Sequence, residues 1–144
     1  MKVLLDTSVL VAALVEAHTA HLRAFMWLSK ARRKEYDLII ASHTLAELYA
    51  VLTSLPVSPR IAPATARRLI SDSVLPWAKV ISLSASEYEA AIKELAELGI
   101  PGGAIYDALI ARAAGKGGAQ KLVTLNTEDF KRVAPQMADR IAEP

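Results

Sequence analysis

Short runs of β-branched and leucine residues recur along this chain, and each early one is followed by a longer stretch with helical period. Lys2–Leu5, Asp37–Ala41 (DLIIA), Lys79–Leu83 (KVISL), Lys121–Leu125 (KLVTL) and the brief Arg140–Ala142 read as strands. Ser8–Val15, Ala20–Arg33, Ser42–Thr53, Ala64–Ser73, Ser84–Leu98 and Gly103–Ala114 read as helices. This alternation admits few folds. Parallel neighbours need a crossover long enough to hold a helix, and the crossover must pack back onto the sheet. The expected fold is an α/β/α sandwich, a mostly parallel five-stranded sheet flanked by helices. A length of 144 residues suits one core, so residues 1–144 read as a single domain. Leu55–Pro63 (LPVSPRIAP) is then a loop within it, and Gly99–Gly103 (GIPGG) stops one helix and releases the next. Gly99 suits a helix C-cap, Pro101 bars continuation, and Gly115–Gly118 ends the helix that follows.

Composition narrows the chemistry. The chain has no cysteine, which excludes disulfides and thiolate metal sites. No apolar run is long enough to span a bilayer, and Asp6 and Glu16 interrupt or bound the apolar start, so it does not read as an export signal. The expected location is the cytoplasm.

In open α/β sheets, ligands bind beyond the carboxyl ends of the strands. Asp6 directly follows Val3-Leu4-Leu5, and Asp129 lies four residues past Leu125. Two more acids interrupt apolar helical faces. Glu47, in HTLAELYAVL, shares a helix side with Thr44, Ala50 and Val51, and Asp107 shares one with Ala104, Ile110 and Ala111. An acid among small apolar residues loses water, at a cost, unless something positive meets it. Each has a local explanation: Asp6 as a helix N-cap, Asp129 as the start of a helix through Phe130, Glu47 and Asp107 as partners of Arg112 or Arg67. Taken jointly, strand ends and helix starts bring all four to one edge of the sheet. Like-charged carboxylates repel and take up protons, a conflict that a hard divalent cation removes. An all-oxygen set, with no His-x-x-x-His pair, suits Mg²⁺ or Mn²⁺. Such an ion acidifies water and stabilises the leaving oxygen of an in-line phosphoryl displacement. Thr7 and Ser8 adjoin Asp6 and are placed to orient it.

Setting these four aside, eleven of the fifteen acids remain against seventeen bases, a surplus of about six on the rest of the molecule. That surplus fits a polyanionic partner and fits solubility equally well.

The ordered set Leu5-Asp6-Thr7-Ser8, Ala46-Glu47-Leu48, Tyr106-Asp107-Ala108-Leu109-Ile110-Ala111 and Thr124-Leu125-Asn126-Thr127-Glu128-Asp129-Phe130 resembles the PIN-domain family, in particular its VapC-type toxins. The resemblance spans nearly the whole chain. It implies a parallel sheet flanked by helices and a Mg²⁺- or Mn²⁺-dependent endoribonuclease. It also implies a homodimer and a small cognate antitoxin. By position it makes Asp6, Glu47 and Asp107 the core catalytic and metal-holding acids and Asp129 the fourth, with Thr7, Ser8 and Thr124 as supporting hydroxyls. Asn126 stands where many relatives carry another acid, which weakens a second metal position. The implied reaction is hydrolysis of RNA by activated water, leaving 5′-phosphate and 3′-hydroxyl ends.

Arg67, Arg68 and Arg112 are candidate RNA contacts, or else ordinary surface cations. Lys30–Lys34 reads as a solvated face that suits its helix dipole, or else as a contact for RNA phosphates. His18, His21 and His43 have no ligand spacing, and His43, which precedes Glu47 by four residues, reads as a surface or capping residue or else as a neighbour of the site. Trp27, Trp77 and the tyrosines read as core or dimer contacts. Three other functions compete. A non-cleaving PIN-like module that binds RNA or protein would lack a core acid, and none is missing. An aspartate-nucleophile phosphatase needs a second Asp where Ser8 stands, and the paired acids and late lysine of a receiver are not evident. A structure-specific DNA nuclease on this fold carries extra helical arches, for which the chain is too short.

Overall fold

The computed structural model describes residues 1–144. Five strands, β1 (Lys2–Leu5), β2 (Asp37–Ala41), β3 (Ala78–Ile81), β4 (Lys121–Val123) and β5 (Ile141–Ala142), form one sheet in which every pairing is parallel. Their order across the sheet is β3-β2-β1-β4-β5. The chain therefore builds outward from β1 on one side, then crosses back to build on the other. The direction of winding reverses beside β1, and the crevice at the ends of β1 and β4 is a topological switch point.

Seven α-helices connect the strands: α1 (Thr7–Leu14), α2 (His21–Arg32), α3 (Ser42–Ser54), α4 (Pro63–Ser73), α5 (Ala85–Leu98), α6 (Ala104–Lys116) and α7 (Thr127–Val133). Short 3₁₀ turns cover Leu75–Trp77 and Pro135–Arg140. Strand alternation divides the core into two layers. Val3, Leu5, Leu38, Ile40 and Val123 face one, with Leu10, Leu28, Leu48 and Leu52 of the first three helices. Leu4, Ile39, Ala41 and Leu122 face the other, with Leu95, Ile110 and Phe130. A sheet covered on both faces needs strands that are apolar throughout, which is why LL, DLII and KLV show no polar alternation. Fully burying each such Leu or Phe contributes about 2 kcal/mol.

Local chemistry sets the element ends. Ser84 caps α5 in a capping box: the Glu87 amide donates to Ser84 Oγ, and the Ser84 amide donates to Glu87 Oε1, both at 3.3 Å. Gly99, at φ 69°, closes the same helix in the left-handed region. Two strands stop earlier than the residues predict. β3 ends at Ile81, not Leu83, because its last partner on β2 is Ala41, where that strand turns into α3. β4 ends at Val123, not Leu125, because β1 gives way to α1 just past its partner Leu5. The Asp129–Phe130 segment is a helix of seven residues, too short for its periodicity to stand out. No helix is long and apolar enough to cross a membrane.

Candidate metal centre

The switch point is where the chemistry-bearing residues meet. The Asp6 amide extends the sheet by donating to Val123 O at 3.0 Å, and the Asp6 carbonyl accepts from Val9 and Leu10 to start α1. Its backbone sits at the N-cap position, but its side chain closes no capping hydrogen bond. Asp6 Oδ2 instead accepts from Ser8 Oγ and from Thr124 Oγ1, each at 2.8 Å. Those hydroxyls are held in turn: the Leu125 amide donates to Ser8 Oγ at 3.1 Å, and the Asn126 amide to Thr124 Oγ1 at 3.0 Å. Thr7, one residue before Ser8, serves a different acid and donates to Glu47 Oε1 at 3.0 Å.

Asp6 is 3% exposed, and Thr44 and Thr124 are fully buried. Asp6, Glu47 and Asp107 share a cleft of about 400 Å³ with Thr7, Ser8 and Asn126, walled on its apolar side by Val11, Val51 and Leu125. Asp129 is exposed on the first turn of α7, outside the lining of the cleft. The structure thus brings three of the four acids and their supporting hydroxyls together, with the fourth at the rim.

Electrostatics binds the four into one system. Burial pushes the Asp6 carboxyl up, against the opposing effect of the Ser8 and Thr124 hydroxyls and the nearby Thr7 and Ser8 amides. Asp107 is pushed up to about 7, first by burial and then by the charges of Asp6, Asp129 and Glu47, with Arg132 acting the other way. Neither Asp6, Asp107 nor Asp129 takes part in any ion pair of the chain. The arrangement therefore gathers negative charge with little internal compensation beyond Arg132 near Asp107 and His43 beside Glu47. Its donors are hard oxygens, which fit Mg²⁺ or Mn²⁺ held by Asp6, Glu47 and Asp107. The fit is one of chemistry and not of a finished cage, since no three acid or imidazole side chains converge closely enough to hold an ion between them. Mutual repulsion opposes such convergence.

Several expectations about neighbouring residues change. Arg112 is not a partner of Asp107: its guanidinium donates to Glu94 of α5 at 2.8 Å, in a separate cavity. Arg67 and Arg68 are exposed on α4, with Arg68 donating to Thr65 at 3.3 Å. The Lys30–Lys34 run serves the fold, with Lys30 over the Trp27 ring, Arg32 donating to Ser73 O and Arg33 paired with Glu35. Tyr36 is a core residue, but Trp77, Tyr49, Tyr88 and Tyr106 stay substantially exposed. Sequence reasoning left His43 open as a neighbour of the site and gave no role there to Tyr106, Arg132 or His18, the last of which lines the cleft. His43 lies 3.6 Å from Glu47 and stacks on Tyr106, while Arg132 is the one cation whose charge reaches Asp107 appreciably. The signals were present: His43 is one helical turn before Glu47, Tyr106 adjoins Asp107, and Arg132 is three residues past Asp129.

The PIN domain family model matches residues 3–135. Ribonuclease VapC27 of Mycobacterium tuberculosis is 39% identical over 126 residues, covering 88% of this chain and 83% of its own length. Ribonuclease VapC40 of the same organism is 34% identical over 128 residues, covering 89% and 87%. Among solved structures, VapBC2 from Rickettsia felis, bound to a DNA fragment from its promoter, shares the fold with a TM-score of 0.65. Its identity is 24%, with 99% of this chain and 98% of that chain covered. With the family model matching residues 3–135, a 39%-identical relative covered almost end to end, and a five-stranded parallel sheet, the chain belongs to the PIN domain family, in its VapC group.

Proposed function

We propose that this chain is a metal-dependent endoribonuclease that hydrolyses RNA phosphodiesters, and that it is the toxin of a toxin–antitoxin pair. The observation that carries the proposal is the state of Asp6. It is buried, it has no cation partner, and two fixed hydroxyls hold one of its oxygens, in a cleft it shares with Glu47 and Asp107. An uncompensated buried carboxylate is costly, and a structure that spends two hydrogen bonds on orienting one is prepared for a cation. The ribonuclease names of the VapC relatives support the same reading.

Asp6, Glu47 and Asp107 would hold the ion, with Asn126 lining the same cleft and Asp129 at the rim. When bound, Mg²⁺ or Mn²⁺ would neutralise the cluster, acidify water and stabilise charge on the departing oxygen. The chain's own hydroxyls are poor nucleophile candidates, because Thr7, Ser8 and Thr124 all direct their protons at carboxylates. In this reading water is the attacking group, and the products carry 5′-phosphate and 3′-hydroxyl ends. Products with 2′,3′-cyclic phosphate ends would contradict this, since they require attack by the RNA's own hydroxyl. A small antitoxin and a second copy of the chain are the proposed protein partners, and Leu22, Phe25 and Met26 on α2 leave exposed apolar surface for such contacts.

The test is incubation of purified protein with a pool of structured RNAs in Mg²⁺, Mn²⁺ or EDTA, beside Asp6→Asn. Metal-dependent cleavage lost in the variant is expected. One observation favours a second reading, a non-cleaving RNA- or protein-binding module: the acids do not converge into a closed cage. Calorimetry separates the two, because a chain that binds neither Mg²⁺ nor Mn²⁺ is the binding module.

A further inference from the structure

His43 lies in the first turn of α3 and Tyr106 in the first turn of α6, and the two rings stack outside the lining of the acidic cleft, one turn before Glu47 and next to Asp107, which line it. Their centroids are 4.9 Å apart and their planes differ by 2°. The imidazole also lies near the site, with Nε2 3.6 Å from Glu47 Oε1. One face of the phenol is thus backed by the imidazole, and the residue still exposes 50% of its surface. Folding alone gives little reason for this arrangement, because an aromatic side chain left half in water forgoes much of its burial energy.

The charge around the cleft adds a second argument. A nucleic acid approaching Asp6, Glu47, Asp107 and Asp129 meets repulsion, and the cations nearby do little to offset it. Arg132 is the only one whose charge weighs appreciably on Asp107, and Arg112 is bound to Glu94. A bound divalent cation would relieve that repulsion at the acids themselves, and contacts that do not depend on net charge would add affinity beside them. Stacking of a base on an aromatic ring is such a contact, available to any base with a free face.

We propose that the outer face of Tyr106, held in place by His43, is a subsite for one unpaired nucleobase of the RNA beside the scissile phosphate. The inference rests on the nuclease reading for its ligand. It makes substrate choice depend on local single-strandedness, because a base paired and stacked within a helix cannot reach the ring.

The experiment uses a ten-nucleotide single-stranded RNA carrying 2-aminopurine at alternating positions, titrated with the full chain in Ca²⁺. A hairpin that places the same label in its stem serves as the control. Wild-type protein should quench the single-stranded label and leave the hairpin stem unaffected. Tyr106→Phe should retain both quenching and affinity. Tyr106→Leu keeps apolar bulk without a π face, and it should lose the quenching and weaken binding roughly tenfold. Circular dichroism checks that each variant is folded. In Mg²⁺, cleavage of the unlabelled oligomer by Tyr106→Leu should show the same rise in KM, with kcat changed much less.

Two failures are distinguishable. Cleavage with equal KM and equal quenching in Tyr106→Leu would overturn the base subsite and leave the nuclease intact. Quenching that depends on residue 106 without any cleavage would keep the base subsite and overturn the nuclease. If Tyr106→Leu instead changes only the association state of the protein, the ring belongs to a protein interface and the subsite is rejected.

Discussion

At Asp6, two hydroxyl protons converge on a single carboxylate oxygen while burial opposes ionisation, and Asp107 feels the same conflict more openly. Removing either charge relieves the cluster, so Asp6→Asn and Asp107→Asn should raise the melting temperature in EDTA by about 2–4 °C. A clear fall for both would mean that these acids are structural ion-pair partners. The pH dependence carries a definite sign. An aspartate near 3.9 unfolded and about 7 folded holds its proton longer in the native state, so stability falls as pH rises between those values. In EDTA the melting temperature should drop from pH 5 to pH 8, Mg²⁺ should restore it at pH 8, and Asp107→Asn should show a much smaller drop. Thr124→Val deletes one of the two protons on Asp6 and should weaken Mn²⁺ binding by about 10–100-fold in calorimetry, with little change in fold. That Asp6, Glu47 and Asp107 share one cleft was legible because an acid at a strand end, or on an apolar helix face, is chemically out of place, whereas Asp129 stands exposed outside it. The division of labour between Thr7 and Ser8 was not, since adjacency alone assigns both to Asp6. Only the turn of α1 sends Thr7 toward Glu47.

Helices and strands were readable in proportion to how local their causes are. Gly99 and the Ser84–Glu87 pair mark the ends of α5 through contacts that are complete within a few residues. The ends of β3 and β4 depend on where β2 and β1 stop, so no pattern within either strand reveals them. α6 shows the same dependence at its C-terminus. A Cβ at Gly117 would stand 3.0 Å from Ile81 Cγ1 and 3.1 Å from Ile39 Cδ1, although the backbone there is ordinary. Gly117→Ala should therefore overpack the junction of α6 with β2 and β3 and cost about 1–3 kcal/mol in denaturant unfolding. Ser84→Ala, which opens the capping box, should cost about 1 kcal/mol. If Gly117→Ala were neutral, the isoleucines would have room to move that the packing does not suggest.

Across the whole molecule, parallel strands send all their ends to one edge, and that geometry alone places Asp6 and the residues after β4 together. The same geometry places Lys2 and Lys121 at the strand starts, toward the opposite edge. The surplus of positive charge legible in the composition is therefore not gathered around the acids. Arg112 and Lys116 are held by Glu94 and Glu87, and Lys30 and Lys121 both lie over Trp27. Strand order has a further consequence, measured in time. β1 is the central strand, bonded on both sides, and Asp6 hangs from its end by an amide that donates to Val123. Asp129 stands on a seven-residue helix packed against the edge strand β5. In native-state hydrogen exchange, the amides of Leu4, Leu5 and Asp6 should outlast those of Phe130 to Val133 by orders of magnitude. The acidic cluster would then have one wall that persists as long as the fold itself and one that opens and closes many times within that life.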